Sequence, residues 1–278
     1  IRVALEDVRD HFTDAETGNC VEYEGEPRAE NISIKFRGNG NRLVVAADAK
    51  IFRLSAVFDC SNGVITIGGN SHGTPFRGTL RVGQDSRIVI GHNVSSTDTV
   101  YMSAAEGTTI EIGEDVMFAT GNQLRADDGH PIFDVRTGKR VNVSRDITVG
   151  NHVWLGYRAM VLGGVTIGDG SVIGCGSVVT RRIPNNVVAV GVPAHVVRRD
   201  IAWERPHLTL AKPYYKPDAR TVKKSAYWHL TADDGADAPI ARPSRTAEPI
   251  VRPLRARRRT WRSLVPRRVV RWVRAIRS

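Results

Sequence analysis

The stretch RADDGHPIFD, residues 125–134, gathers side chains that can move protons: His130 just before a proline, with Asp127 and Asp128 three and two residues ahead of it. A neutral imidazole can accept a proton from a hydroxyl, a poor nucleophile on its own near neutral pH, as its oxygen attacks an electrophile. His130 is therefore a candidate general base, with a solvent-facing loop histidine as the plain alternative. Asp127 and Asp128 lie close enough to orient the ring or to bind acceptor hydroxyls, and a solvated acidic turn explains them equally well. Asp134 and Arg136 are weaker candidates for acceptor contact.

What must position this stretch is a repeat. From Val149 the chain can be written in sixes, VGNHVW, LGYRAM, VLGGVT, IGDGSV, IGCGSV, so that Val149, Leu155, Val161, Ile167, Ile173 and Val179 fall at strict six-residue intervals. A period of six is neither that of an amphipathic helix nor that of an alternating strand. It describes a triangular prism in which each six is one flat side, its aliphatic residue points to the axis and a following glycine lets the backbone turn. Three sixes complete a coil, and Ala159, Ser171 and Ser177 supply the small residues of tight corners. A degraded form of the signal runs through VITIGGN, LRVGQDSRIVIGHNV and TIEIGEDVMFATGN, and the aliphatic stretch from Leu43 to Val57 suggests a first coil. The pattern stops between Asn122 and Arg145 and then resumes, so this segment is expected as a loop expelled from the prism, with His130 on it. Long ordered insertions are usually functional. Trp154, just before a core aliphatic, is expected to point outward, as a stacking surface or as packing against a neighbouring subunit. His152 reads as a surface residue, and His72 and His92 stay unassigned.

The net charge of +11 lies in the tail. Residues 241–278 carry thirteen Arg and one Glu, a net of +12, which leaves about −1 for the first 240 residues and removes most support for a nucleic-acid-binding enzyme. Cys20, Cys60 and Cys175 are odd in number and lack zinc-like spacing, so neither a disulfide framework nor a metal site is expected, and a reducing cytoplasm is the simplest setting. No apolar run approaches the roughly 20 residues of a membrane span. The expected organisation is an N-terminal segment over 1–30, a β-helix over 31–200 with its loop at 122–146, an extension over 201–232 and a linker with an Arg-rich amphipathic tail over 233–278. The extended GVPAHVVRRDIAWER segment is expected to lead to a short helix that caps the open end. The tail has the composition of a helix that lies on an anionic membrane surface or binds a partner, or of a solvated tail.

From ITVGNHVW to AHVVRR the sequence resembles the hexapeptide-repeat acyltransferases, most closely the group of galactoside, maltose, xenobiotic and polysaccharide O-acetyltransferases. The close match covers residues 123–199 and a looser one reaches back to 31. The resemblance implies an all-β, left-handed parallel β-helix and a homotrimer with active sites between neighbouring prisms. It also implies acyl-CoA as co-substrate with no permanently bound cofactor, and a sugar or glycoconjugate hydroxyl as acceptor. It makes His130 the catalytic base in a ternary complex, places Trp154 against acyl-CoA and acceptor, and makes the amide of Tyr157 an oxyanion donor. For CoA it implies Gly174, Cys175, Thr180, Arg181, His195 and Arg198; Gly174 also reads as a plain corner glycine, and His195 departs from the usual basic side chain. Tyr157 replaces a smaller residue, which bears on acyl length. The style of the C-terminal extension is similar to actinobacterial homologues, among them octanoyltransferases of methylglucose lipopolysaccharide synthesis, so the implied acyl groups run from acetyl to octanoyl and the implied acceptors include glucosylglycerate. N-acyl transfer to an amino sugar or antibiotic is a second enzymatic reading. An inactive β-helix scaffold is a third; its metal-binding relatives need three histidines across coils, and His72, His92 and His152 lack the local motifs.

Overall fold

In the computed structural model, residues 2–5, 11–71 and 73–229 are described; His72 and the linker and Arg-rich tail expected at 233–278 lie outside the described residues. The six-residue period becomes a coil period of eighteen. Val149 pairs with Ile167, Leu155 with Ile173 and Val161 with Val179, each eighteen residues on and in parallel register. The chain winds as a left-handed parallel β-helix whose three sheets are the sides of a prism. Face A runs from Ile32–Phe36 to Val178–Val179, face B from Cys20–Tyr23 to Thr166–Ile167, and face C from Ser95–Ser96 to Val188–Gly191. The chain passes from B to C to A in each regular coil. All six aliphatics of the strict series are buried, as are Ala159, Ser171 and Ser177 at the corners.

The upstream coils are longer, and this explains their degraded pattern. Val45 pairs with Ile67 and Ile90 with Ile112 at a separation of 22 residues, and Ile67 with Ile90 at 23. From Ile90 to Met102 the six-residue step holds, but Met102 and Ile112 are ten apart, with Ala104 and Ile110 as additional buried positions. Faces A and B are thus each lengthened at their shared edge. The parallel ladder also begins one coil before Leu43, at Cys20–Tyr23 against Arg42–Val45, with Val21 and Tyr23 in the core.

The edge between B and C is made of stacked backbone. A Cβ on Gly91 would lie 2.6 Å from the Gly113 carbonyl oxygen, and one on Gly113 would lie 2.8 Å from the Gly150 carbonyl carbon. Beside this column stand Asn93, Asp115, His152, Gly170 and Asn186, all with positive φ. His152 is not a surface residue: it is 2 % exposed, because Trp203 and Tyr227 stack on its ring and cover it.

Beyond the last coil, Val188–Gly191 and Ala194–Arg198 form the expected extended segment as an antiparallel pair. Among the described residues the capping helix expected after it is absent. Residues 199–218 contain no helix, and the only helical turns described are short 3-10 turns at Ala219–Thr221 and Ala226–His229. Pro206, Pro213 and Pro217 interrupt any helical run there. The segment instead returns along the B–C edge, where Trp203 stacks on His152 at 4.1 Å and the Arg205 guanidinium bonds Asp115, Ser95 and the Asn93 carbonyl. Tyr227 and Trp228 are half-buried, whereas Tyr214 and Tyr215 are exposed. No helix among the described residues is long and apolar enough to cross a membrane.

Candidate active site

The loop leaves the prism at the A–B edge, between Gln123–Arg125 on face A and Ile147–Val149 on face B. Its neck is closed by the Arg145 amide donating to the Ala126 carbonyl at 3.0 Å. Asp127, nearly buried, fixes the first turn: Oδ2 accepts from Ser103 Oγ at 2.6 Å and Oδ1 from the Gly129 amide at 2.9 Å, with Arg81 Nη1 3.7 Å away. Asp128 is exposed and accepts from Asn142 Nδ2 at 2.9 Å; the same amide donates to the His130 carbonyl, and Asn142 Oδ1 accepts from the Ile132 amide. Asn142 therefore ties both arms of the loop together. At the tip, Asp134 accepts the amides of Arg136 and Thr137, and these bonds hold its carboxyl below the usual carboxylate range.

The loop is pinned to the coil before it through Glu106. Arg140 makes a two-pronged ion pair with this carboxylate, Nη2 at 2.9 Å from Oε2, and Ser144 Oγ donates to it at 2.5 Å. The Arg140 guanidinium foremost, then Ser144, pulls the Glu106 carboxyl down to about 2. His130 is exposed and lines a cleft with Arg81, Glu106, Asp127 and Arg140. Its imidazole has no hydrogen-bond partner among the described residues, and neither Asp127 nor Asp128 bonds to it, so the carboxylates shape its loop rather than its ring.

The other candidate residues fall into two groups. Thr180 and Arg181, both exposed, follow face A at its turn toward B, on the same edge as the loop. Trp154 lies on face C, between Met117 and Val172 in register, 38 % exposed and tilted against Trp203 at 5.9 Å. Tyr157 and exposed Cys175, with Gly174, follow at successive C-to-A corners; the Tyr157 carbonyl accepts the Gly176 amide at 2.7 Å, and its own N–H is without a partner among the described residues. His195 and Arg198 are exposed on the antiparallel strand added to face C. In a triangular coil the A–B edge is opposite face C, so one chain does not bring His130 and Trp154 together.

Glu106, Arg81 and Asn142 escape a six-residue reading, because the first two sit on lengthened coils and the third in the loop. Pairing of Ser103 with both Arg81 and Arg125 aligns Arg81 with the strand that leads into the loop. The cluster of buried His152 and Trp203 with half-buried Asp115 and Arg205 joins residues up to 90 apart and has no local signature. Burial pushes the Asp115 carboxyl up, but the hydrogen bond from His152 and the Arg205 guanidinium outweigh it and hold it below its ordinary value. Among the described residues no group of His, Cys, Asp and Glu could hold a metal ion.

Residues 146–181 match the family model described as bacterial transferase hexapeptide (six repeats). The polysialic acid O-acetyltransferase of Escherichia coli O1:K1 / APEC is 35 % identical over 129 residues, 46 % of this chain and 42 % of that protein. The galactoside O-acetyltransferase of Escherichia coli (strain K12) is 42 % identical over 113 residues, 41 % of this chain and 54 % of that protein. The chain thus spans about half the length of these curated relatives. The crystal structure of the polySia-specific acetyltransferase NeuO aligns over 70 % of this chain and 90 % of its own, at 32 % identity and a TM-score of 0.63. Repeat, fold and these likenesses together establish that the chain belongs to the hexapeptide-repeat acyltransferase family.

Proposed function

We propose that this protein transfers an acyl group from acyl-CoA to a sugar hydroxyl, with His130 as general base. The observation that carries the reading is the placement of His130, its ring unpartnered, on a loop expelled from the prism and held by Glu106, Asp127 and Asn142. The O-acetyltransferase relatives support the reaction class.

In the reaction, an imidazole nitrogen of His130 accepts the acceptor's hydroxyl proton as the oxygen attacks the thioester carbonyl. The unpartnered Tyr157 amide faces the oxyanion that forms. Collapse of this intermediate expels the CoA thiolate, which takes the proton from the imidazolium. No acyl-enzyme is required, and both substrates are bound together. Trp154 offers the aromatic face beside the donor, Asp128 a carboxylate near the acceptor, and Gly174, Cys175, Thr180, Arg181, His195 and Arg198 the surface for CoA, with the arginines for its phosphates. Because His130 and Trp154 occupy opposite sides of one chain, the working site combines the loop of one protomer with face C of another, and we assign a homotrimer. Acetyl is the donor group the relatives favour, with chains up to octanoyl and glucosylglycerate as an acceptor as further alternatives; a cytoplasmic setting supplies acyl-CoA.

The test is turnover of purified protein with acetyl- to octanoyl-CoA against sugar hydroxyl and amino-sugar acceptors. Ester formation is expected, and His130→Ala should lower kcat by about 10²–10⁴, the usual worth of a general base. Full turnover in His130→Ala refutes the mechanism, and amide product alone refutes the acceptor class.

A further inference from the structure

We infer that the acceptor carries an anionic group, a carboxylate or a phosphate, which is held on face A by Arg125 and Arg81; this rests on the reading of His130 as the base. The cleft at His130 continues past Arg81 into a second depression on face A, lined by Thr79, Tyr101, Ser103 and Arg125. Register makes this surface an ordered array. Arg81, Ser103 and Arg125 stand in one outward row, and Thr79, Tyr101 and Gln123 in the next. Neighbouring strands are about 4.8 Å apart, so the two arginines stand two rungs, roughly 10 Å, from one another, about the span of one substituted pyranose. Tyr101, 50 % exposed, lies between them in the adjacent row as a flat face for a sugar ring.

The charge on this surface is only partly compensated, and least so at Arg125. Arg125 is exposed, and its guanidinium Nε donates to neutral Gln123 Oε1 at 3.0 Å, with no carboxylate partner among the described residues. Arg81 shares the carboxylate of Asp59 with Arg37 and lies 3.7 Å from the Asp127 carboxylate, so it is the better compensated of the two and Arg125 carries the free charge. Arg53 and Arg77, further along the same face, also have no carboxylate partner among the described residues, and Arg77 rests on the Phe52 ring at 4.7 Å. A neutral sugar needs hydroxyl partners but not spare guanidinium groups, whose planar fork matches a carboxylate or a phosphate. Arg125 immediately precedes the loop, so an anion on it leaves the rest of the acceptor within the cleft of His130.

The experiment compares kcat/KM for methyl glucoside, methyl glucuronoside and glucose 6-phosphate with acetyl-CoA, in the wild type and in Arg125→Gln. An anionic acceptor should be favoured by about 10-fold or more, the larger ratio naming the anion, and Arg125→Gln should remove most of that preference through KM, with Arg125→Lys restoring part of it. Raising ionic strength should erode the preference. Equal kcat/KM for neutral and anionic acceptors, or a preference that survives Arg125→Gln, overturns the inference and leaves acyl transfer standing. Should no acceptor be turned over, the reading of the previous section fails, and calorimetric titration decides the subsite: glucuronoside or glucose 6-phosphate binding that Arg125→Gln weakens upholds it, and no difference from methyl glucoside overturns it.

Discussion

Replacing Glu106 with Gln should loosen the expelled loop that carries His130 without unfolding the prism. The carboxylate accepts two prongs from Arg140 and one bond from Ser144, across the step between one coil and the loop of the next. Lowering its carboxyl from 4.5 to about 2 corresponds at face value to about 3 kcal/mol, at about 1.4 kcal/mol per pH unit. The Glu106 side chain is 42 % exposed, so solvent screens the pair and about 1 kcal/mol is the defensible worth. That raises the open population of the loop by about 5-fold. Because the closed form still dominates, kcat is a poor detector, and native-state hydrogen exchange is the right assay. The amides of Ile132, which donates to Asn142, and of Val141, which donates to the Ile132 carbonyl, report opening directly. Their protection should fall about 5-fold in Glu106→Gln, with amides of the core strands unchanged. The folded-state value is depressed, so the stabilisation is complete above the unfolded value near 4.5 and is lost as pH falls toward about 2. Unchanged protection at Ile132 and Val141, or an equal loss throughout the prism, would refute the assignment of Glu106 as a local anchor.

Gly113→Ala should destabilise the whole β-helix by about 1–3 kcal/mol, because the new methyl would lie 2.8 Å from the Gly150 carbonyl carbon and 2.9 Å from the Asn151 nitrogen, which are backbone and cannot swing aside. A chemical-denaturation midpoint equal to that of the wild type would show that the column is not close-packed. His130→Ala and Trp154→Ala subunits, each impaired alone, should recover activity when unfolded together and reassembled. With random mixing, about a quarter of two-protomer sites receive both intact residues; hybrids no more active than either variant would place both residues in one chain's site.

The prism was legible where the coil is eighteen residues, since Val149 to Val179 mark every side in order. It was less legible upstream for a definite reason: the A–B edge gains two inward positions per coil, as at Ala104 and Ile110, so sixes drift out of register while pairing stays regular. The loop was legible as an interruption, but the groups that hold it were not, because Glu106 and Arg140 meet only after a lengthened coil stacks under the neck. The burial of His152 is not legible in the repeat, because its repeat position is ordinarily a solvent-side corner. Its partner Trp203 is 51 residues later, in a segment without periodicity, and converts that corner into a buried stack. The same event removes the expected capping helix: a chain held at Trp203 and Arg205 along an edge, and then interrupted by prolines, has no free run in which to coil.

The division of the candidate residues between two sides of one prism follows from the fold itself. A solenoid with coils of eighteen residues has a core only wide enough for side chains, so no cleft can open within it, and every functional group must stand on a face or leave at an edge. Flat faces provide rows at the strand spacing, which suits long ligands, while a proton acceptor needs reach, which only an expelled loop supplies. Such a loop extends away from its own prism. Ile132, Phe133 and Val135 on it are more than half exposed, and face C lies on the far side of the prism. With His130 on an edge and Trp154 on the opposite face, a site that used both would be completed only by association of two chains, and the face adjoining the loop is the arginine-bearing face A.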